Sequence, residues 1–236
     1  MSKLYNVAGI LAFVCAITLI LACGPKTARS EEPANGPQPE ATPKNTEPIT
    51  ITGVGDIMMG SPFPNETRMP PNDGADLLKA FTPILSAADI AFGNLEGPIV
   101  DGGVSGKCRA GSTQCFAFRS PTRYGKYLKE AGFDVMSVAN NHAGDFGLPG
   151  RTSTQKVLDE QGIKYAGTLD PPATIAYLTA KGKRVAFVAF GHNREMPSIN
   201  DLDGARRLVT EAAKNADIVV VSFHGGAEGS GAQHVP

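Results

Sequence analysis

Four short stretches of the chain place metal-binding side chains beside glycine or other small residues. They are 55–56 (GD), 93–96 (GNLE), 140–142 (NNH) and 222–224 (SFH), which together contribute carboxylates, amides and imidazoles. This mixture of oxygen and nitrogen ligands suits Mn, Fe or Zn better than an all-oxygen calcium or magnesium site. An Asp or Asn in any one of these places usually only caps a turn, so the prediction of a divalent-metal site rests on all four together.

Each of these stretches follows a run of apolar and β-branched residues that predicts a β-strand. The four strands cover 49–54, 90–92, 135–138 and, as a buried last strand, 218–223; further strands are expected over 116–118, 164–166, 175–179 and 185–190. Predicted helices cover 76–87, 121–131, 152–161 and 205–215, with Ser120 as N-cap and Gly132 as the stop of the second. Alternating strands and helices predict a layered α/β fold with a mostly parallel sheet, in which sites gather beyond the carboxyl ends of strands. The four stretches would then converge on one crevice.

The charge balance and composition exclude some classes of protein. The 236 residues include 22 Lys and Arg against 23 Asp and Glu, a formal net charge of −1. A nucleic-acid binder would carry an excess of basic residues to neutralise phosphates, so no nucleic-acid partner is expected. Hydrophobic residues make up 42% and charged residues 19%, which is typical of a globular protein, and the length fits one domain.

The N-terminal segment is typical of an exported lipoprotein. An apolar run at 4–22 follows Lys3, and 20–23 (ILAC) resembles a bacterial lipobox, whose cysteine is acylated after cleavage. We therefore expect 1–22 to be a signal peptide, Cys23 to carry lipid, and the proline-rich 23–48 to be a disordered tether to a domain at 49–236. The predicted location is the bacterial cell envelope, with the membrane as a partner. The alternatives are an uncleaved signal anchor, or a signal peptide with an incidental Cys23.

Cys108 and Cys115 enclose a short polar loop in a protein predicted to be exported to a compartment where disulfides persist. The spacing is too wide for a redox Cys-x-x-Cys motif, and the pair lacks the partner ligands of a zinc site. A structural disulfide is therefore expected, which would stabilise the fold by roughly 2–3 kcal/mol in the chain-entropy model.

The same four stretches, taken in longer form, resemble the CapA family of capsule and poly-γ-glutamate synthesis proteins, within the metallophosphoesterase-like superfamily. The matching runs are 55–60 (GDIMMG), 93–98 (GNLEGP), 140–147 (NNHAGDFG) and 222–228 (SFHGGAE). The resemblance implies an α/β sandwich of two central sheets flanked by helices. It also implies that the metal ligands are Asp56, Glu96, Asn141 and His224, with Asn94 as the alternative to Glu96. By the same resemblance, His142 would donate a proton to the leaving oxygen of a phosphoester.

Two departures from the family pattern bear on function. Met58 stands where the superfamily usually has a histidine, and no final Gly-His ligand loop occurs before Pro236, so we expect a C-terminally truncated domain. One hypothesis is a metal-dependent phosphoesterase or other hydrolase in capsule or poly-γ-glutamate synthesis or anchoring, acting on a phosphoester or an anionic envelope polymer. The alternative is a non-catalytic component that binds or helps to assemble such a polymer through a degraded metal cleft. Polymer synthase components are candidate partners.

Overall fold

The computed structural model describes residues 47–108, 112, 115–169, 174–227, 230–232 and 234. The predicted signal peptide, the predicted lipid-bearing Cys23 and nearly all of the predicted tether lie outside the described residues, as does Glu228 at the end of the run 222–228. Within the described ranges, no helix is both long and apolar enough to cross a membrane.

The described residues form two β-sheets. The first is parallel throughout, in the order β1 (Ile51–Ile57), β2 (Ile90–Leu95), β3 (Val135–Ser137) and β4 (Lys164–Ala166). The second has the order β5 (Ile175–Ala180), β6 (Lys183–Phe190) and β7 (Ile218–Phe223), with β5 antiparallel and β7 parallel to β6. The turn between β5 and β6 consists of Lys181 and Gly182, whose φ angles are 47° and 75°. Positive φ at both positions is the geometry that matches the twist of a two-residue hairpin.

The described residues include four α-helices, of 4, 7, 14 and 13 residues in chain order. They are α1 (Thr82–Leu85), α2 (Gly125–Ala131), α3 (Gly147–Glu160) and α4 (Leu202–Lys214), with 3₁₀ turns at Pro71–Gly74, Thr122–Tyr124 and Ser230–Ala232. Helix α2 ends at Gly132, which has the left-handed conformation of a C-terminal stop with φ of 99°. Helix α4 begins after Asp201, whose carboxylate accepts a hydrogen bond from the backbone N–H of Gly204 at 2.9 Å.

Three apolar clusters stack these elements in four layers. Helices α1, α2 and α3 cover one face of the first sheet, where Leu85, Leu128 and Leu158 pack against the strands. The opposite face packs on the second sheet, with Val135 and Phe187 in the shared cluster. Helix α4 covers the far face of the second sheet. The predicted sandwich of two central sheets flanked by helices is therefore confirmed.

Strand β6 shows why the sequence produces this layering. Its side chains alternate between the two apolar clusters that lie on either side of the second sheet. Val185, Phe187 and Ala189 face the first sheet, and Ala186, Val188 and Phe190 belong to the cluster that contains α4. A strand that is covered on both faces needs an unbroken apolar run, and 185–190 supplies one.

Strands β1 and β2 extend further than the sequence predicts. Asp56 and Asn94 lie inside the strands and not in loops after them, because the pairing of β1 with β2 continues past the glycines. A Cβ atom at Gly93 would lie 2.5 Å from the Ile57 side chain. Glycine at this position therefore permits a close approach within the strand and does not end it.

The predicted helix over 76–87 is mostly wrong, since only Thr82–Leu85 is helical. Pro83 has no N–H to donate and fits only the first turn of a helix, so the helix begins beside it. The predicted helices at 152–161 and 205–215 begin earlier than expected, at Gly147 and Leu202.

Three further predictions are corrected. Residues 116–118 form no strand, because the Phe118 N–H donates to the Asp145 carboxylate at 2.7 Å and not to a neighbouring strand. Ser120 does not cap α2, and its hydroxyl donates instead to the Gly60 carbonyl at 3.0 Å. Strand β7 is not buried, since it is an edge strand of the described sheet and Phe223 is 67% exposed.

Candidate metal centre

Asp56 and Asn94 lie opposite each other on neighbouring strands, at the carboxyl end of the first sheet. Directly before Asp56 the register between β1 and β2 shifts, so that β1 has one more residue than β2. Such a β-bulge turns the following side chain relative to the sheet. The Asn94 Nδ2 then donates to Asp56 Oδ1 at 2.7 Å.

The surroundings of Asn94 and Glu96 distinguish the two candidates for the second ligand position. Asn94 is buried, its Oδ1 accepts a hydrogen bond from Asn140 at 3.0 Å, and its Nδ2 faces Asp56. An amide nitrogen offers no lone pair to a metal. Glu96 follows β2 directly, and its carboxylate is 10% exposed and belongs to the cluster with Asp56. The geometry therefore favours Glu96.

Asn140 organises the loop that follows β3. Its side chain is 1% exposed and donates to Asn94 Oδ1 and to the Leu95 carbonyl, at 3.0 and 2.9 Å. Its Oδ1 accepts from the backbone N–H of His142 at 3.1 Å. The first two bonds attach the loop to the end of β2 and the third fixes the turn of the loop itself, which together place Asn141 and His142 beside the two carboxylates.

His224 reaches the same place from the second sheet. Its backbone N–H donates to the Phe190 carbonyl at 2.9 Å, directly after β7. Its Nε2 lies 2.9 Å from Asn141 Oδ1, and its Nδ1 lies 3.4 Å from Asp56 Oδ1. The ends of β1, β2, β3 and β7 thus meet at one edge of the sandwich, as the sequence pattern predicts.

The side chains at this edge fit a divalent metal. Asp56, Glu96 and His224 each offer one ligand atom, and these three atoms lie within 4.8 Å of one another. Oxygen and imidazole ligands bind such ions at about 2.0–2.2 Å, so small rotations of the side chains would bring all three onto one ion. Asn141 Oδ1, already in contact with His224, is placed to be a fourth ligand. The donor set suits Mn, Fe or Zn.

His142 borders this cluster and is held from its far side. Its ring is buried, with Nε2 3.8 Å from Glu96 Oε1 and Nδ1 2.7 Å from Asp145 Oδ2. The Phe118 ring packs against it, with 4.1 Å between the ring centroids. A carboxylate at Nδ1 fixes the orientation of an imidazole, so Nε2 remains directed toward the metal cluster.

Comparison with known proteins shows the family of the chain. The model of a family described as bacterial capsule synthesis protein PGA_cap matches residues 50–233. The chain belongs to this family. This match covers all four motif runs, so the resemblance to the CapA family is confirmed.

Two relatives are themselves capsule or polymer proteins by name. The capsule biosynthesis protein CapA of Bacillus anthracis is 30% identical over 204 residues, covering 78% of this chain and 48% of that protein. The PGA biosynthesis protein CapA of Bacillus subtilis is 28% identical over 205 residues, covering 80% and 52%. This PGA_cap chain therefore spans about half the length of the curated relatives it matches. Among solved structures, a phosphatase from Mycoplasma pneumoniae is similar with a TM-score of 0.46 and 16% identity, over 76% of this chain and 56% of that one.

Three residues of the site are missed by the sequence-based reasoning. Asn140 and Asp145 both stand in the run 140–147, and Asp145 follows His142 by three residues, which is a signal that could have found it. Lys107 carries no comparable signal. It directly precedes Cys108, whose predicted disulfide with Cys115 is present with 5.6 Å between the Cα atoms.

Met58 supplies no replacement for the histidine that the superfamily pattern has at its position. The residue is 50% exposed and lines an apolar cavity together with Leu77 and Phe81. A thioether is a weak acceptor and a poor ligand for a hard divalent ion. The described part of this PGA_cap chain thus has the Asp56, Glu96 and His224 cluster without a ligand from position 58.

Proposed function

We propose that this chain is a component of capsule or poly-γ-glutamate synthesis at the bacterial cell envelope, with a divalent-metal site that hydrolyses a phosphoester. The observation that carries the proposal is the convergence of Asp56, Glu96 and His224 within 4.8 Å, beside the buried His142. The place in envelope polymer synthesis is supported by the PGA_cap family and by the names of the two CapA relatives. Anchoring through a lipid on Cys23 is part of the same proposal.

The residues that would hold the ion are Asp56, Glu96 and His224, with Asn141 as the fourth. When bound, a divalent ion would act as a Lewis acid that polarises a phosphoryl oxygen and lowers the pKa of a water. The protein contributes the arrangement of these ligands. Asn94 donates to Asp56, and Asn141 contacts His224, so two of the ligands are already oriented before an ion binds.

His142 is placed to move a proton in this reaction. Its Nε2 faces the cluster near Glu96, while Asp145 holds Nδ1. The Phe118 ring covers the imidazole, which limits the access of water from that side. In this arrangement His142 would carry a proton on Nε2 and pass it to the leaving oxygen, a role that typically contributes 10²–10⁴-fold in rate.

Metal analysis and a phosphodiesterase assay test the proposal on the same set of purified proteins. After incubation with Mn²⁺ and removal of the excess, we expect bound metal in the wild type and a large loss in Asp56→Ala and His224→Ala. His192→Ala is the matched control, because His192 is an exposed histidine outside the cluster. Equal and negligible metal in all four proteins would contradict the metal site.

The catalytic part is tested separately with bis(p-nitrophenyl) phosphate. His142→Asn should lower the hydrolysis rate by about 10²-fold or more while leaving the metal content unchanged. If the wild type binds metal but hydrolyses neither this compound nor other phosphodiesters, the catalytic role is wrong.

A second candidate function is a non-catalytic site that binds an anionic envelope polymer through the metal. The observation that favours it is Met58, which removes a ligand from the superfamily pattern. On this account, poly-γ-glutamate would bind to the Mn²⁺-loaded wild type and not to Asp56→Ala, with no hydrolysis by either protein. Binding that is equal in both proteins would exclude it.

A further inference from the structure

Lys107 makes three contacts around the histidine of the site. Its Nζ lies 2.7 Å from Asp145 Oδ1, 2.9 Å from the Asn141 carbonyl and 3.0 Å from His142 Nδ1. The carboxylate and the carbonyl accept hydrogen bonds from the ammonium, whereas Nδ1 is only a close neighbour of it. Lys107 is therefore occupied within the protein and is not a free cation for a substrate.

The carboxylate of Asp145 explains why Lys107 matters. Asp145 is 1% exposed, and its Oδ2 contacts both His142 Nδ1 and the Phe118 N–H at 2.7 Å. Its Oδ1 is buried and, among the described residues, has no hydrogen-bond donor other than the ammonium of Lys107 in ion-pair contact. A buried carboxylate oxygen without a partner is costly, so Lys107 stabilises Asp145 in this position.

Residues on both sides of the Cys108–Cys115 disulfide make these contacts. Lys107 directly precedes Cys108, and Phe118 follows Cys115 by three residues. Both residues contact the His142–Asp145 pair, while Ser105 Oγ donates to the Asp145 carbonyl at 2.7 Å. The disulfide between Cys108 and Cys115 reduces the conformational freedom of the backbone on both sides of the loop that it closes.

We infer that Lys107 is a positioning residue for His142, and that the Cys108–Cys115 disulfide holds it there. Lys107 acts through Asp145, whose carboxylate it keeps correctly oriented, and through the Asn141 carbonyl. The shorter contact assigns the Nδ1 proton of His142 to the hydrogen bond with Asp145 Oδ2. The consequence for turnover rests on the proposed function, whereas the effect on the histidine ring does not.

The test is an NMR measurement on the metal-free full chain, labelled with ¹⁵N at histidine. The chain has only four histidines, and the Nδ1–H signal of His142 is identified by its absence in His142→Asn. In Lys107→Met we expect this proton to exchange with water about tenfold faster or more, because the bond to Asp145 opens more often. Lys107→Arg should restore most of the protection, since a guanidinium also donates to a carboxylate.

Two further arms complete the experiment. Lys164→Met, at an exposed lysine of β4, is the control and should leave the exchange rate unchanged. Reduction of the disulfide, or Cys108→Ser with Cys115→Ser, should accelerate the exchange in the same direction as Lys107→Met. The reduced wild type also serves as the second variant if Lys107→Met fails to fold.

Wild-type exchange in a folded Lys107→Met protein would overturn the role of Lys107, and wild-type exchange in the reduced protein would overturn the role of the disulfide. If the protein hydrolyses phosphodiesters, Lys107→Met should lower kcat with little change in KM. If metal and hydrolysis are both absent while the NMR effects are present, the proposed function fails and the positioning role stands.

Discussion

Asp145 is the residue whose replacement tests the described site most sharply without any metal. Its carboxylate contacts Lys107, His142 and the Phe118 N–H, all at 2.7 Å, and it is 1% exposed. Asp145→Asn keeps the shape of the side chain and can keep one oxygen toward His142 and Phe118. Its amide nitrogen would then face the ammonium of Lys107, where two donors oppose each other.

The expected loss in the free energy of unfolding follows from the contacts that each substitution removes. Hydrogen bonds to charged groups contribute about 1.5–3 kcal/mol, and Lys107 can turn partly toward water because its side chain is 29% exposed. Asp145→Asn should therefore lower the free energy of unfolding by about 2 kcal/mol. Asp145→Ala also leaves the Phe118 N–H without its acceptor, which costs about 1–3 kcal/mol more. A total loss of about 4 kcal/mol is expected for Asp145→Ala.

The assay is urea unfolding of the metal-free protein at pH 7 with the disulfide intact, followed by circular dichroism. Asp203→Asn is the matched control, because Asp203 pairs with Arg206 on the surface of α4 with a side chain that is 77% exposed. Exposed pairs of this kind contribute about 0–1 kcal/mol, so the control should remain close to the wild type. If Asp145→Ala unfolds within about 0.5 kcal/mol of the wild type, the described contacts do not stabilise the site.

Three further outcomes are expected. Leu128→Ala removes a fully buried side chain of α2 and should lower the free energy of unfolding in urea by about 2–5 kcal/mol, whereas Leu202→Ala, at an exposed position, should stay near the wild type. The backbone N–H of Thr50 donates to the Asp89 carboxylate and holds its pKa at about 2, below the ordinary 3.8. The ionised carboxylate therefore stabilises the folded protein above about pH 4, and this contribution is lost as the pH falls through 2. Asp89→Asn should therefore reduce the acid dependence of the urea midpoint between pH 4 and 2, and an unchanged dependence would contradict this. Mn²⁺ at 100 times its Kd should stabilise the wild type by about 2.7 kcal/mol in thermal unfolding, and Asp56→Ala by much less.

The sequence predicts the strands of this fold better than their ends. The predicted ranges of β3, β4, β5 and β6 lie within two residues of the observed ones. The clearest signal is the apolar run 185–190 in β6, which burial on two faces requires. The ends of β1 and β2 are misjudged since glycine usually indicates a turn. Gly93 instead makes room for the Ile57 side chain within the sheet, and only the strand pairing reveals this.

The helices are predicted less accurately because the effect of a proline depends on its position in the helix. Pro83 prevents the long helix expected over 76–87, whereas Pro149 lies in the first turn of α3, where its missing N–H is not needed. Leu77, Leu78 and Phe81 have the spacing of one helix face, but these residues lie in successive turns.

Part of the candidate site can be predicted from sequence, and part depends on contacts between residues far apart in the chain. The ends of β1, β2 and β3 can be placed together from sequence, because parallel strands end on one edge of a sheet, and β7 joins them from the second sheet. The preference for Glu96 over Asn94 depends on which way the Asn94 amide faces, and that follows from its contacts with Asp56 and Asn140. Lys107 reaches His142 across 35 positions of the chain, so no local motif could indicate it.

The central claim is that Asp56, Glu96 and His224 hold a divalent metal. Anomalous diffraction at the Mn absorption edge, from crystals of the wild-type protein grown with Mn²⁺, tests it most directly. The account predicts an anomalous peak bounded by these three side chains, with Asn141 in contact and His142 beside it. A map with no peak at this edge, or with Mn²⁺ held by other residues only, would contradict it.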